Sequence, residues 1–220
     1  MTGYAAVVLA GGAARRMGGV DKPARPVGGR PMLHRVLAAV ADADQRIVVG
    51  PSGPVPDGVR TTREEPPGGG PVAAIAAGLA LLDPGTTTVA LLAADLPLLT
   101  AAAVTELRRA LDAPARTTSH DPAAERASAP TPGGSTVALA CYVDGDGRRQ
   151  QLCAVWRLPA LRAALDRLAA TRGGTLDGAP VRGLLTGVAV REVSWPGSGP
   201  PPWFDCDTDE DVRRAEEWSR

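Results

Sequence analysis

Lysine is almost absent from this chain: of its 24 lysine and arginine residues, only Lys22 is a lysine. Arginine presents a wide planar fork, whereas lysine presents a compact point charge that fits between phosphate oxygens. Lys22 ends a glycine-rich stretch that begins at Leu9. Chance survival of one lysine is the alternative, which position alone does not refute, but the place at the end of such a loop favours a chemical role.

Aromatic residues are also scarce, at 3% of the chain, and the formal net charge at pH 7 is zero. The basic residues are spread along the sequence, whereas a nucleic-acid-binding protein more often has a basic stripe with interleaved aromatics. We therefore expect no nucleic-acid partner.

Cysteines are few, and long apolar runs are missing. The three cysteines are odd in number, widely spaced and without a CxxC pair, which argues against a disulfide framework and a zinc site. Cys141, Cys153 and Cys206 are predicted to be buried and unreactive. Apolar runs such as Val89 to Leu92 are too short to cross a bilayer, and the first residues do not resemble a signal peptide. We expect a cytoplasmic protein with no membrane partner.

Short apolar runs alternate with amphipathic segments, which predicts an α/β fold with parallel crossovers and helices on both faces of the sheet. Strands are predicted at 4–10, 46–50, 88–93, 136–143, 152–156 and 188–193, the fourth and fifth forming an antiparallel hairpin. Helices are predicted at 31–41, 71–82, 101–111, 159–170, 181–185 and 208–218. We expect one domain over residues 1–220. Its segment 113–135 has no apolar periodicity and is predicted to be a mobile loop.

The first candidate for chemistry is the turn at Gly11 and Gly12, which follows the first predicted strand. Glycines let backbone N–H groups approach and cradle phosphate oxygens. The signal is weak alone, since the stretch is neither a Walker A loop nor a GxGxxG fingerprint. It is strengthened by Arg16 and Lys22, both placed to meet a bound triphosphate.

Three further places stand out. Gly68 to Gly70 lead into a helix that opens with Pro71, and their small size would let a flat base lie against the backbone. Asp95 follows a buried strand, where α/β sheets bind ligands and where a carboxylate can hold Mg²⁺. Asp207 lies in an acidic stretch, between the predicted end of a strand and the start of the last helix, and is a candidate second metal ligand. For each, a plain turn or cap remains the alternative.

Taken together, the residues from Leu9 to Lys22, with Gly70-Pro71, Ala94 to Pro97 and Asp205 to Thr208, resemble the molybdenum cofactor guanylyltransferase family. The loop LAGGxxxRMGxxDK of that family is matched at Leu9, Ala10, Gly11, Gly12, Arg16, Met17, Gly18, Asp21 and Lys22. The resemblance covers most of the chain and fades between 113 and 135. It implies a single-domain, three-layer α/β/α nucleotide-binding fold of the nucleotide-diphospho-sugar transferase type, with a mostly parallel sheet.

The resemblance also implies an enzyme that transfers GMP from GTP to molybdenum-loaded molybdopterin with Mg²⁺ as cofactor. Nucleotide would be bound by the loop residues Leu9, Ala10, Gly11, Gly12 and Lys22 and by Gly70, Pro71 and Asp95. Catalysis would rest on Lys22, Arg16 and Asp95, with metal on Asp95 and Asp207. A client molybdoenzyme stays open as a further partner.

Two alternatives remain at this point. Cytidylyltransferase relatives tend to have alanine where Gly12 stands, so the smaller residue favours a purine, but the motif with Asp205 and Asp207 is equally compatible with a cytidylyltransferase. A related transferase with a different phosphorylated acceptor belongs to the same alternative. A nucleotide-binding chaperone that hands on cofactor without catalysis is the other possibility. The presence of both Lys22 and Asp95 argues against it, because binding alone needs less metal chemistry.

Overall fold

A computed structural model describes residues 3–11, 22–50, 53–114, 136–195 and 199–219. Gly12, Arg16, Asp21 and nearly all of the predicted mobile loop therefore lie outside the described residues. The strands are β1 (Ala5–Leu9), β2 (Pro26–Val27), β3 (Arg30–Pro31), β4 (Gln45–Val49), β5 (Val59–Thr62), β6 (Thr88–Ala93), β7 (Leu139–Val143), β8 (Arg149–Arg157) and β9 (Val190–Ser194). The α-helices are α1 (Met32–Ala39), α2 (Pro71–Ala80), α3 (Ala101–Asp112), α4 (Leu158–Thr171) and α5 (Asp209–Trp218).

Seven strands form one mostly parallel sheet in the order β5-β4-β1-β6-β8-β7-β9. β8 runs antiparallel to both of its neighbours, as the predicted hairpin requires, while β1 lies parallel to β4 and β6. The carboxyl ends of the parallel strands and the start of β8 consequently meet at one edge of the sheet. Loops at that edge are placed to form a binding site.

Helices cover both faces of the sheet, and the alternation of side chains along β1 divides the core between them. Ala6 and Val8 pack in the cluster that includes α1 and α3, whereas Ala5, Val7 and Leu9 pack in the cluster that includes α2 and α4. Because both faces of β1 are buried, its sequence is continuously apolar. The three-layer α/β/α architecture predicted from the sequence is confirmed.

The C-terminal helix packs elsewhere. Val212 and Ala215 of α5 join Val27, Met32, Leu98 and Cys206 in a small third core against the β2–β3 hairpin. Arg35 binds the same region by donating hydrogen bonds to the carbonyls of Pro97 and Val27 and to the hydroxyl of Ser219. The segment that carries Asp207 is thereby attached to the carboxyl edge of the sheet.

Several predicted boundaries were wrong. Helix α1 begins at Met32, with Pro31 as its N-cap in strand β3, and residues 181–185 form a 3-10 turn instead of an α-helix. Strands β2, β3 and β5 were not predicted, because β5 has the polar sequence Val-Arg-Thr-Thr of an edge strand and the other two have two residues each. Asp207 follows an irregular segment and not a strand.

All three cysteines are free and buried, as predicted. Within the described part of the chain, no helix has both the length and the apolar character needed to cross a membrane.

Candidate active site

The candidate site is centred on Lys22, which opens a short 3-10 turn at Lys22–Ala24. Its ammonium Nζ lies 2.5 Å from Asp95 Oδ2 and 2.6 Å from Asp207 Oδ1. These three residues come from the start, the middle and the end of the chain, and the fold brings them together as one charged cluster. Sequence reasoning selected all three, although it placed Lys22 on phosphate and not between the two carboxylates.

Protonation of Lys22 is reinforced by its partners. Burial alone disfavours the charged amine, but the hydrogen bonds to Asp207 and Asp95 outweigh that cost, so the pKa of Lys22 is raised above its ordinary value. The neighbouring Asp205 has a raised pKa as well, caused first by partial loss of solvent and then by the negative charge of Asp207. Two carboxylates, those of Asp95 and Asp207, therefore contact the Lys22 ammonium, and the carboxylate of Asp205 lies near enough to feel their charge.

Asp95 reaches this cluster because β6 ends two residues before it. The backbone N–H of Ala94 donates to the carbonyl of Leu9 at 3.0 Å, so the exits of β6 and β1 lie side by side. The N–H of Cys206 donates to the Asp95 carbonyl at 3.2 Å, which attaches the C-terminal segment to the same edge. Asp95 is only 22% exposed, whereas Asp207 is 68% exposed.

A capping box at the start of α5 orients Asp207. The Thr208 hydroxyl accepts from the N–H of Asp211, and the Asp211 carboxylate accepts from the N–H of both Thr208 and Asp207. Because these hydrogen bonds favour the charged carboxylate, beginning with the one from the Thr208 hydroxyl, the pKa of Asp211 is lowered. The ion pair of Arg25 with Asp209 at 2.5 Å holds the Lys22 turn against the same helix start.

Of the predicted phosphate loop, Leu9, Ala10 and Gly11 are described. Leu9 and Ala10 are buried at the end of β1, and the Ala10 N–H donates to the carbonyl of Val49 at 2.8 Å. Gly50, which sequence reasoning did not select, has φ of +117° and lies so close that a Cβ on it would be 2.5 Å from the Gly11 nitrogen. The sequence does contain a signal for this close backbone approach, namely a glycine directly after the apolar run of β4.

The second glycine segment lies at the same edge, after β5. Gly70 is the N-cap of α2 with φ of +89°, and Pro71 is its first helical residue. Glu64, another residue that sequence reasoning missed, accepts a hydrogen bond from the Gly68 N–H at 3.1 Å and so supports the loop. The Gly69 carbonyl accepts from Gly178 N–H at 2.8 Å, which supports it from the other side.

The cluster fits a divalent cation through two carboxylates. Asp95 and Asp207 each place an oxygen within 2.6 Å of one atom, so a cation between them meets both, and such hard oxygens suit Mg²⁺. No group of three or more histidine, cysteine or acidic side chains with metal-binding geometry is found among the described residues. Phosphate oxygens and water would complete the coordination of such a two-carboxylate site.

Three of the known proteins that are similar to the chain show the range of the resemblance. It is 52% identical over 48 residues to a probable molybdenum cofactor guanylyltransferase from Haloferax mediterranei; the match covers 22% of this chain and 23% of that relative. The molybdopterin-guanine dinucleotide biosynthesis protein A from Archaeoglobus fulgidus has a similar structure, with TM-score 0.65 and 18% identity over 97% of each chain.

The third is 4-diphosphocytidyl-2C-methyl-D-erythritol synthase from Anaerococcus prevotii, with TM-score 0.66 and 15% identity over 99% of this chain and 96% of that one. At these identities the two structures show the shared fold alone. The family model described as MobA-like NTP transferase domain matches residues 6–179, which include the β1 exit, Lys22, the glycine segment and Asp95. The chain therefore belongs to the MobA-like NTP transferase domain family.

Proposed function

We propose that this protein is a Mg²⁺-dependent guanylyltransferase that moves GMP from GTP to molybdenum-loaded molybdopterin and releases pyrophosphate. The observation that carries the proposal is the Lys22 ammonium held between Asp95 and Asp207, beside the exit of β1. Family membership and the name of the Haloferax relative support the reaction class and the choice of GTP.

For this reaction the protein must position the two substrates and supply positive charge near the phosphates. A phosphate oxygen of the acceptor attacks the α-phosphorus of GTP in line; a new P–O bond forms, and the bond to the β-phosphate oxygen breaks. The attacking phosphate is already ionised, so no general base is required. Fixed cations that meet the growing charge on the phosphates supply the rate enhancement.

Lys22 is well suited to that task. Its raised pKa keeps the ammonium charged at neutral pH, and its flexible stem lets it exchange carboxylate oxygens for phosphate oxygens. Mg²⁺ bound by Asp95 and Asp207 would add a Lewis acid for the triphosphate. Arg16 stands in the matched loop as the second cation for the phosphates.

Base recognition is assigned to the two glycine segments. Gly11 is exposed at the end of β1. A Cβ on Gly70 would have no backbone atom nearer than 3.8 Å, which leaves open space before α2. A flat purine against main-chain groups would fit such a surface. Gly12 belongs to the same proposal, because its small size in the sequence favours a purine.

The test measures pyrophosphate release from the purified protein with Mg²⁺, molybdopterin and each of the four nucleoside triphosphates in turn. The proposal requires release with GTP, at higher kcat/KM than with CTP, and formation of the guanine dinucleotide. Preference for CTP would make the protein a cytidylyltransferase. Tight GTP binding with no pyrophosphate under any combination would indicate a nucleotide-binding chaperone.

A further inference from the structure

An open cavity of about 470 Å³ lies next to Asp95, on the side away from β1. In the sheet, β6 separates β1 from β8, and the cavity is lined from β6, from the β7–β8 turn and from the segment after residue 199. The side chains that bear on its chemistry are Asp95, Asp144, Arg148, Gln150, Trp203 and Asp205. The exit of β1 and this cavity therefore flank Asp95 on opposite sides.

Arg148 is the cation of this lining. Among the residues that the structure describes, its guanidinium makes no ion pair or hydrogen bond, although its backbone N–H donates to Asp144 at 2.8 Å. The adjacent Arg149 is different, because its Nε donates to Glu192 at 2.8 Å on strand β9. An exposed guanidinium with five donors, none of them bound to a described residue, is suited to bind an anion.

Local backbone structure aims Arg148 at the cavity. Asp144 accepts from the N–H groups of Asp146 and Arg148 and from the side chain of Gln150, which fixes the turn. The register of β7 with β8 shifts between Cys141 and Val143, an irregularity that redirects side chains beside the turn. The carboxylate of Asp144 is satisfied by these donors, so it leaves the guanidinium free for a ligand.

The opposite wall is aromatic in a chain that has few aromatics. Trp203 and Phe204 line the cavity while both remain partly exposed. Trp203 is supported from behind by Tyr142, with ring centroids 5.1 Å apart, and by Trp195 at 6.3 Å. A supported but accessible indole is a platform on which a planar heterocycle can stack.

We infer that the cavity binds the ring system of the acceptor and that Arg148 is a specificity residue for it. The acceptor would place its reacting phosphate beside Asp95, its planar ring against Trp203 and a second anionic group on Arg148. This assignment rests on the proposed function, since it takes the acceptor to be a pterin that carries phosphate at one end and negative charge elsewhere.

The test is equilibrium dialysis of the full chain against two pterins, 6-carboxypterin, which is anionic, and 6-hydroxymethylpterin, which is neutral. The wild type should bind the anionic pterin more tightly. Arg148→Gln should weaken 6-carboxypterin binding by about tenfold or more, the usual cost of a lost hydrogen bond to a charged group, and leave the neutral pterin unaffected. Arg149→Gln is the matched control and should behave as wild type with both.

The aromatic wall is tested by Trp203→Leu. This substitution should weaken the binding of both pterins by about tenfold through the loss of stacking. Trp203→Phe keeps a ring in place and should retain most of the affinity, which separates stacking from a general loss of folding. Titration with GTP should give wild-type affinity in the Arg148 and Trp203 variants, because these residues lie on the other side of Asp95.

Unchanged 6-carboxypterin affinity in Arg148→Gln, or failure of the wild type to bind either pterin, would overturn the assignment. The proposed function fails separately: if pterin binding follows the expected pattern but no nucleotide is transferred, the cavity is a pterin site in a protein of another activity. If transfer occurs and the cavity variants have wild-type KM for molybdopterin, the acceptor binds elsewhere.

Discussion

At the residue scale, Lys22 carries the strongest prediction. Replacing it with alanine should lower kcat by roughly a hundredfold or more while changing GTP affinity far less, since the charge that it meets grows in the transition state. Lys22→Arg should recover only part of the loss, because the guanidinium is wider and differently shaped. Single-turnover kinetics with GTP titrations separate the two effects.

Arg60→Gln is the control for Lys22, since it removes one positive charge whose partner is Asp83 and not either of the central carboxylates. It should keep wild-type kcat. If Lys22→Ala turned over like the control, the lone lysine would have no part in the chemistry.

The two carboxylates should differ in importance. Asp95→Asn should abolish metal-dependent transfer and leave the fold intact, because it removes the less exposed of two hard oxygen ligands at the end of a buried strand. Asp207→Asn should be milder, as its side chain is 68% exposed and an amide oxygen still ligates. Pyrophosphate release measured against Mg²⁺ concentration distinguishes them. Glu210→Gln removes an acidic neighbour that pairs with Arg214 on α5, and it should change nothing.

At the scale of the element, the cap of α5 connects stability to the site. Thr208→Ala should lower the free energy of unfolding by about 1 kcal/mol, the usual cost of a lost N-cap. Thr100→Ala at α3 removes the same kind of cap, a hydroxyl that accepts from Ala103 N–H at 3.2 Å, and should cost a similar amount. Only Thr208→Ala should also raise the Mg²⁺ concentration needed for half-maximal activity. Equal metal dependence in both variants would show that the cap does not orient Asp207.

The same cap predicts an acid dependence. The pKa of Asp211 is lowered in the folded protein, so its contribution to stability is complete above the ordinary aspartate pKa of 3.8 and is lost as pH falls through the lower folded value. Acid unfolding monitored by circular dichroism should show this loss below about pH 4. Asp211→Asn should already lack the contribution at pH 7 and show a correspondingly shallower decline in acid; a decline as steep as that of the wild type would contradict the prediction.

For the whole molecule, the thiols should report how the fold opens. Burial raises the pKa of Cys141 to about 11 and those of Cys153 and Cys206 to about 12, so all three are neutral and shielded at pH 8. Cys141 and Cys153 lie in the two large cores, whereas Cys206 belongs to the small core under α5. A disulfide-exchange reagent should therefore label Cys206 first, through local release of the C-terminal segment, and the other two only on global unfolding. Mass spectrometry at successive times gives the order of labelling. If all three cysteines were labelled at the same rate, α5 would have no separate opening.

Sequence reasoning predicted the fold where burial makes the pattern simple. The continuous apolar runs of β1 and β6 are typical of a sheet covered on both faces, and α3 begins at the predicted residue 101. It failed at β5, whose polar residues suit an edge but carry no periodic signal. Asp95 and Lys22 were found because a strand end and a unique residue are local features. Their direct pairing, the support from Glu64 and the close approach of Gly50 to Gly11 depend on contacts across the fold, which no local pattern contains.

The scarcity of lysine also makes the site chemically addressable. The chain offers an acylating reagent only one side-chain amine, that of Lys22. This amine lies in the candidate site between two carboxylates, and its raised pKa keeps it protonated. Its acylation at neutral pH should be slow, and it should become faster when Asp95 is neutralised or when a cation draws the carboxylates away from Nζ. The rate at which one amide forms would then record the state of the site, without any label having to be engineered into the protein.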